Sequence, residues 1–226
     1  MSAKSAPARP MPRLYLATPV VEDAAALAAM LPDVLASADV AAVLLRLTDS
    51  DPRTLLGRIK TLAPIVQKAG AALLLDGHAD LVARGGADGA HLTGLEAMQE
   101  TLSSLKPDRI AGVGGRHTRH DAMVAGEGGA DYVLFGEPDA NGQRPSADAV
   151  AERLNWWAEL FEPPCVGYAA SRIEARAFAA AGADFVLVAD MIWSDQAGSA
   201  AALADVAAAL KEGYAAAARH PLTGQS

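Results

Sequence analysis

Several charged residues follow short apolar runs of this chain, where they could bind an anion or a metal ion. Arg46 follows one such run, and its guanidinium offers a bidentate fork for a phosphate or a carboxylate. Asp76 closes the next run, where it is interpreted either as a ligand or as the salt-bridge partner of Arg46. His78 follows closely, as a ligand contact or as the cap of a short helix. These positions predict a binding site at the ends of two neighbouring strands.

A second group of charged residues lies later in the chain. Glu137 and Asp190 both come shortly after apolar runs and, with Asp139, could face one pocket. In the loop that begins at Glu137, Gly142 and Arg144 offer a backbone N–H and a cation to an anionic ligand. Glu137, Arg144 and Asp190 are therefore predicted to bind substrate.

The elements that position these residues are indicated by a repeat. The tripeptide Gly-Ala-Asp occurs three times, each time after an Ala-rich helical stretch and before a short apolar run. The copies are Gly86-Ala87-Asp88, Gly129-Ala130-Asp131 and Gly182-Ala183-Asp184, with a looser fourth copy at Ala38-Asp39. Because glycine readily takes φ > 0, the tripeptide predicts a helix end and a tight turn into a buried strand. Its recurrence indicates repeated βα units.

Counting these units predicts the fold. The predicted strands span residues 13–18, 41–47, 72–76, 89–92, 109–113, 132–135, 165–168 and 185–188. The predicted helices span residues 22–36, 52–69, 78–84, 95–105, 119–127, 147–160, 172–181 and 200–218. Strict alternation of eight strands and eight helices predicts a closed (β/α)8 TIM barrel, whose chemistry belongs to the loops at the carboxyl ends of the strands.

The alternative fold is a doubly wound sheet. Its nucleotide-binding form needs a Gly-rich turn after the first strand, but Thr18-Pro19-Val20-Val21 stands there. We therefore predict one barrel domain over residues 12–215, with flexible tails at residues 1–11 and 216–226.

Composition argues against several classes of protein. The net charge is −8, and the densest basic cluster is residues 116–120, which argues against a nucleic-acid binder. No apolar run approaches the roughly 18–20 residues of a membrane span. A single cysteine, Cys165, excludes an internal disulfide and fits a reducing cytoplasm. Trp156 and Trp157 are adjacent on a predicted helix and face different directions, so an exposed one would favour a homodimer.

Three blocks of the sequence carry a family resemblance. They are Arg-Leu-Tyr-Leu-Ala-Thr-Pro at residues 13–19, Asp-Leu-Val-Ala-Arg-Gly-Gly-Ala-Asp-Gly-Ala-His-Leu at residues 80–92, and Gly112-Val113 with His117-Thr118 and residues 129–133. In this order they resemble thiamine phosphate synthases, and the resemblance covers roughly residues 13–210. It implies a (β/α)8 barrel that uses Mg²⁺ and joins a hydroxymethylpyrimidine diphosphate to a thiazole phosphate, with release of diphosphate.

The resemblance also implies roles for particular residues. Arg46 and His117 would steady the phosphates of the substrates, and Glu96 would hold Mg²⁺. Without the family, Glu96 has a simpler interpretation, since a carboxylate in the first turn of a helix is favoured by the helix dipole. The implied partner is therefore a phosphorylated small molecule bound at the barrel mouth.

Several positions differ from the family pattern. Its Gln-Leu-Arg-x-Lys is Leu44-Leu45-Arg46-Leu47-Thr48 here, its Asn-Asp-Arg is Asp76-Gly77-His78, and residues 137–142 replace its Thr-Pro-Thr-x-x-Lys loop. These changes remove cations and a carboxylate, which predicts a diverged paralogue.

Two alternative functions follow from these differences. One is a non-catalytic or repurposed barrel whose carboxylates Asp76, Glu137 and Asp190 recognise an amine, a hydroxylated ring or a metal. The other is a structural partner protein, which would need Trp193 and Tyr168 to fill the barrel mouth.

Overall fold

The computed structural model describes residues 9–115 and 118–219 and has eight parallel strands closed into a barrel in sequence order. The strands are β1 (Arg13–Val21), β2 (Val40–Leu47), β3 (Ala72–Asp76), β4 (Gly89–Thr93), β5 (Ile110–Gly114), β6 (Tyr132–Phe135), β7 (Cys165–Ala169) and β8 (Phe185–Val188). Each strand pairs in parallel with the next, and β8 pairs with β1. The predicted (β/α)8 barrel is therefore confirmed.

Helices follow the strands and surround the barrel. They are α1 (Ala24–Ala36), α2 (Pro52–Lys68), α3 (Val82–Gly85), α4 (Leu95–Leu105), α5 (Arg119–Glu127), α6 (Ala147–Leu160), α7 (Arg172–Ala180), α8 (Asp190–Trp193) and α9 (Ser199–Arg219). α9 continues beyond the predicted domain boundary at residue 215. In the described part of the chain, no helix is both long and apolar enough to cross a membrane.

Two short helices differ from the prediction. A 3-10 turn at Ala79–Leu81 leads into α3, where one continuous helix over residues 78–84 was predicted. α8 occupies Asp190–Trp193, which was predicted as a loop because four residues carry no detectable helical period. The new helix matters for the site, because it begins at a predicted ligand-binding residue.

The aspartate of each Gly-Ala-Asp copy forms a hydrogen-bonded bridge between two neighbouring strands. In all three copies the Asp N–H donates to the carbonyl of a residue at or near the start of the preceding strand, at 2.8–3.0 Å. The Asp carboxylate accepts the N–H of that same residue at 2.7–2.8 Å. The bridged pairs are Asp88 with Leu73, Asp131 with Ala111, and Asp184 with Cys165. Each bridge joins two successive strands at the amino-terminal end of the barrel.

The hydrophobic core has two layers, one outside the sheet and one inside the barrel. Between the sheet and the helices lies the larger layer, with Trp157 and Phe135 among its largest side chains. The barrel interior holds a smaller layer that includes Tyr15, Leu74 and Tyr132. Because side chains fill the interior, the carboxyl ends of the strands are left to form the site.

Candidate functional site

Arg46 spans the edge of the mouth where β1 separates β2 from β8. Its Nε donates to the carbonyl of Thr18 on β1, and its Nη2 lies 2.6 Å from Oδ1 of Asp190 at the start of α8. The expected alternative partner was Asp76, and that prediction is wrong. α8 places the Asp190 carboxylate within reach of Arg46 across β1. Asp190 is 76% exposed, whereas Arg46 is 21% exposed.

A buried chain of hydrogen bonds crosses the top of the barrel interior. The hydroxyl groups of Tyr15 and Tyr132 lie 2.9 Å apart, and the Tyr132 hydroxyl lies 2.9 Å from Nδ1 of His91. On the other side of the ring, Nε2 of His91 is 3.0 Å from Oε1 of Glu137. Oε2 of Glu137 accepts the N–H of Gly115 at 2.7 Å. These hydrogen bonds therefore link the barrel interior to the Glu137 carboxylate at the mouth.

Within this series of hydrogen bonds, the charged groups are His91 and Glu137. His91 is 1% exposed and Glu137 is 17% exposed. Burial alone would lower the pKa of His91, but the carboxylates of Glu137 and Asp76 outweigh it and raise the pKa of His91 above its ordinary value. Burial also raises the pKa of Tyr132, so its hydroxyl stays protonated. The raised pKa favours the imidazolium form of His91 beside the Glu137 carboxylate.

Two glycines of β5 leave space for the side chains of this hydrogen-bonded series. A Cβ built on Gly112 would lie closer than 3.0 Å to the ring of Tyr132, and one on Gly114 would meet Glu137 and His91 equally closely. Neither glycine has a positive φ, so space and not backbone conformation requires them. The glycines of β5 are thus required by the packing of Tyr132, His91 and Glu137 against this strand.

Asp76 lies half-buried at the end of β3. Within residues 9–115 and 118–219 its carboxylate makes no hydrogen bond or ion pair. Burial raises the pKa of Asp76, with Glu137 acting in the same direction and His91 and Arg46 opposing it. The Asp76 carboxyl group is therefore available to hydrogen-bond a ligand at the barrel mouth.

Arg144 holds the base of the loop between β6 and α6. Its guanidinium donates to the carbonyls of Gly136 and Tyr168 and to Oε2 of Glu174, at 2.6–3.0 Å. The guanidinium carbon also stacks 4.8 Å from the centre of the Tyr168 ring. These contacts join β6, β7 and α7, and they occupy the cation that was predicted to bind substrate.

The other residues that were singled out from the sequence lie apart from these contacts or outside the described residues. His78 precedes the 3-10 turn with φ of 45°, and its side chain makes no capping hydrogen bond. Glu96 is exposed in the first turn of α4. His117 lies outside the described residues. Trp193 donates its indole N–H to the carbonyl of Ala17, so it packs beside β1 at the mouth.

The comparisons with known proteins agree with this architecture. Residues 14–192 match the family model described as thiamine monophosphate synthase. The chain is 42% identical to the thiamine-phosphate synthase of Rhodospirillum centenum, over 85% of this chain and 95% of that protein. The chain belongs to the thiamine monophosphate synthase family. It is also 35% identical to the thiamine-phosphate synthase of Hyphomonas neptunium, over 86% of this chain and 92% of that protein.

Among solved structures, the thiamine phosphate pyrophosphorylase of Pyrococcus furiosus superposes with a TM-score of 0.72 at 19% identity, covering 89% of this chain and 96% of that one. At this identity the likeness supports the fold alone. The sequence relatives support a thiamine phosphate synthase-like function, and none of the comparisons favours the alternative of a repurposed barrel.

The described side chains of this family member do not form a Mg²⁺ site by themselves. Magnesium takes oxygen ligands, commonly one or two carboxylates together with substrate phosphates. Gly77 offers no side chain, burial raises the pKa of Asp76 and so opposes its charged form, and Glu96 is exposed on α4. Throughout residues 9–115 and 118–219, no three His, Cys, Asp or Glu side chains are grouped to hold a metal ion.

The sequence interpretation of this family member did not assign the His91–Glu137 pair. Glu137 was predicted to bind substrate, and that prediction does not include its contact with His91. The two glycines of β5 were the available signal, because a strand that alternates glycine leaves space for large side chains on its neighbours.

The pair predicts how stability depends on pH. Folding raises the pKa of His91. The contribution of His91 to the free energy of unfolding is therefore fully present below its ordinary pKa of 6.5, and it is lost as pH rises through the higher pKa of the folded state. We expect the free energy of unfolding to fall as pH rises from about 6.5, and His91→Leu to remove that fall. Urea unfolding at several pH values measures both proteins. An unchanged slope in the variant would contradict the assignment.

Proposed function

We propose that this chain joins a hydroxymethylpyrimidine diphosphate to a thiazole phosphate. The thiazole nitrogen forms a bond to the methylene carbon of the pyrimidine, the bond from that carbon to the diphosphate oxygen breaks, and diphosphate leaves with the electron pair. The single observation that carries the proposal is the 42% identity to a thiamine-phosphate synthase that the chain matches over 95% of that protein.

Arg46 is the residue proposed to stabilise the departing diphosphate. Negative charge develops on this group as the bond breaks, and a preorganised guanidinium lowers the energy of that charge. In the structure Arg46 is held by Thr18 and by the exposed Asp190. Because Asp190 is largely solvated, Arg46 can exchange the Asp190 carboxylate for a phosphate at small cost.

Asp76, His91 and Glu137 shape the floor of the proposed site. Burial opposes the charged form of Asp76, which reduces its repulsion of a diphosphate, and when protonated the carboxyl can donate to a ring nitrogen of the pyrimidine. The imidazolium of His91 balances Glu137, so the pair adds little net negative charge. In this way, a mouth that contains several carboxylates can accept anionic substrates.

The proposal is tested by incubating the purified chain with both substrates and Mg²⁺ and measuring thiamine monophosphate and released diphosphate. Arg46→Gln is expected to lower kcat/KM about tenfold or more, because it removes a charged donor to the leaving group. Arg84→Gln is the matched control, since Arg84 is exposed on α3 and is expected to leave the rate unchanged. Absence of product from the unaltered chain would overturn the proposal.

The finer features belong to the same proposal. Mg²⁺ would enter with the diphosphate, and an assay with EDTA in place of Mg²⁺ tests that requirement. A cytoplasmic location, the absence of a nucleic-acid partner, a homodimer and the status of diverged paralogue stay predictions. Light scattering of the purified chain tests the homodimer.

A further inference from the structure

A cavity of about 310 Å³ opens at the amino-terminal end of the barrel, opposite the proposed active site. Its lining includes the first residues of four strands, Arg13, Ala72, Ile110 and Phe185. Volumes of roughly 300–1,000 Å³ are typical of small-molecule sites. The cavity is therefore large enough for a small molecule, and it lies apart from the residues assigned to the reaction.

The cavity is present because small side chains stand where a barrel usually has large ones. Tyr15, Ala42 and Ala72 are in register on β1, β2 and β3, and all three line the cavity. The interior of such a barrel is normally filled by layers of bulky, branched side chains. Unfilled space in a core costs stability, which a bound ligand restores.

The charged residues of the lining are already paired. The guanidinium of Arg13 donates to both carboxylate oxygens of Asp39, at 2.7 and 3.0 Å. The carboxylate of Asp131 accepts the N–H of Ala111 at 2.7 Å and also pairs with Lys106. A charged ligand would have to displace one of these contacts, so the opening favours an uncharged one.

The wall of the cavity is mainly apolar and includes three aromatic rings, those of Tyr15, Tyr132 and Phe185. The hydroxyl groups of Tyr15 and Tyr132 hydrogen-bond to each other, and that of Tyr132 also to His91, so they are not free for a ligand. Apolar cavities offer water too few hydrogen-bond partners and bind apolar molecules instead. Aromatic rings also attract a further ring edge to face or in offset stacking. The wall therefore favours an aromatic molecule.

We propose that this cavity binds an uncharged aromatic small molecule. The closed ring of eight strands encloses the cavity, which leaves no groove along which a peptide could lie. Tyr15, Leu74 and Tyr132, of the interior layer, separate it from the mouth. The ligand is thus expected to bind without displacing the substrates. The inference does not rest on the proposed function, because no residue of this lining is assigned to the reaction.

The test titrates indole, an uncharged bicyclic aromatic, into the full chain by calorimetry at two temperatures. The dissociation constant is expected below about 1 mM. The binding enthalpy is expected to be more negative at the higher temperature, because burial of apolar surface lowers the heat capacity.

Two variants fill the cavity from neighbouring strands. Ala72→Leu and Ala42→Leu are each expected to weaken indole binding about tenfold or more, because the larger side chain occupies the space of the ligand. Ala26→Leu is the matched control, since Ala26 is exposed on α1 and lies outside the cavity lining. Thermal unfolding of each variant checks that the barrel is folded before the titration.

Absence of indole binding to the unaltered chain would overturn the inference, as would unchanged binding in both filled variants or equal weakening by Ala26→Leu. Loss of binding in the presence of saturating diphosphate would place indole at the mouth and also contradict it. A dimer, detected by light scattering, whose formation abolishes indole binding would identify a second copy as the occupant instead. Indole binding by a chain that forms no thiamine monophosphate would overturn the reaction and leave this site standing.

Discussion

His91→Leu is expected to lower the free energy of unfolding by about 3 kcal/mol, because it removes the cationic partner of the largely buried Glu137 carboxylate. The variant removes the imidazolium that faces Glu137 and also the ring nitrogen that bonds the Tyr132 hydroxyl. Leucine fills similar space but offers no polar atom to either group. The loss is therefore mainly electrostatic, and repacking cannot recover it.

Urea unfolding at pH 6, where His91 is protonated, measures this loss. Glu212→Gln is the control, because Glu212 forms only exposed ion pairs with Arg172 and Arg176. Such pairs contribute less than about 1 kcal/mol, so the control is expected to unfold close to the unaltered chain. Equal stabilities of His91→Leu and the control would mean that the buried pair contributes nothing beyond a surface contact.

Gly112→Ala is expected to destabilise the barrel by about 3 kcal/mol, the upper part of the range for overpacking a core. The added methyl group would occupy the position of the Tyr132 ring, which is fixed on one side by Tyr15 and on the other by His91. Because the ring has no free direction, either β5 or the hydrogen-bonded chain must shift.

The same substitution has the opposite sign elsewhere in the chain. Gly57 lies within α2, and a Cβ built there meets nothing within 4 Å. Gly57→Ala is therefore expected to stabilise the protein by about 0.5–1 kcal/mol through the loss of backbone freedom in the unfolded chain. Thermal or urea unfolding of the two variants compares them directly, and a stabilised Gly112→Ala would show that Tyr132 is free to move.

The barrel itself was predictable because its signals are local. Each Gly-Ala-Asp copy contains the glycine that ends a helix and the aspartate that begins the connection to a strand, so a few adjacent residues report the architecture. The apolar runs after them then locate the strands. Local patterns sufficed for the fold because each strand pairs with the strand that follows it in the sequence.

The site was less predictable because its contacts join distant residues. The partner of Arg46 depends on α8, a helix too short to show a period. Glu137 and His91 come from different strand ends, and their meeting depends on the space above Gly114. Charge type alone favoured Arg144 as a ligand, whereas its hydrogen bonds to Gly136 and Tyr168 use it for the loop.

The aspartate bridges divide the barrel into modules. Each carboxylate joins β3 to β4, β5 to β6 or β7 to β8, whereas Asp39, before β2, pairs its carboxylate with Arg13 instead. Among the described residues, no aspartate side chain makes the same bridge at the junctions between modules. The closed barrel is thus a ring of two-stranded modules, and the junctions are where new chain termini would sever no such bridge.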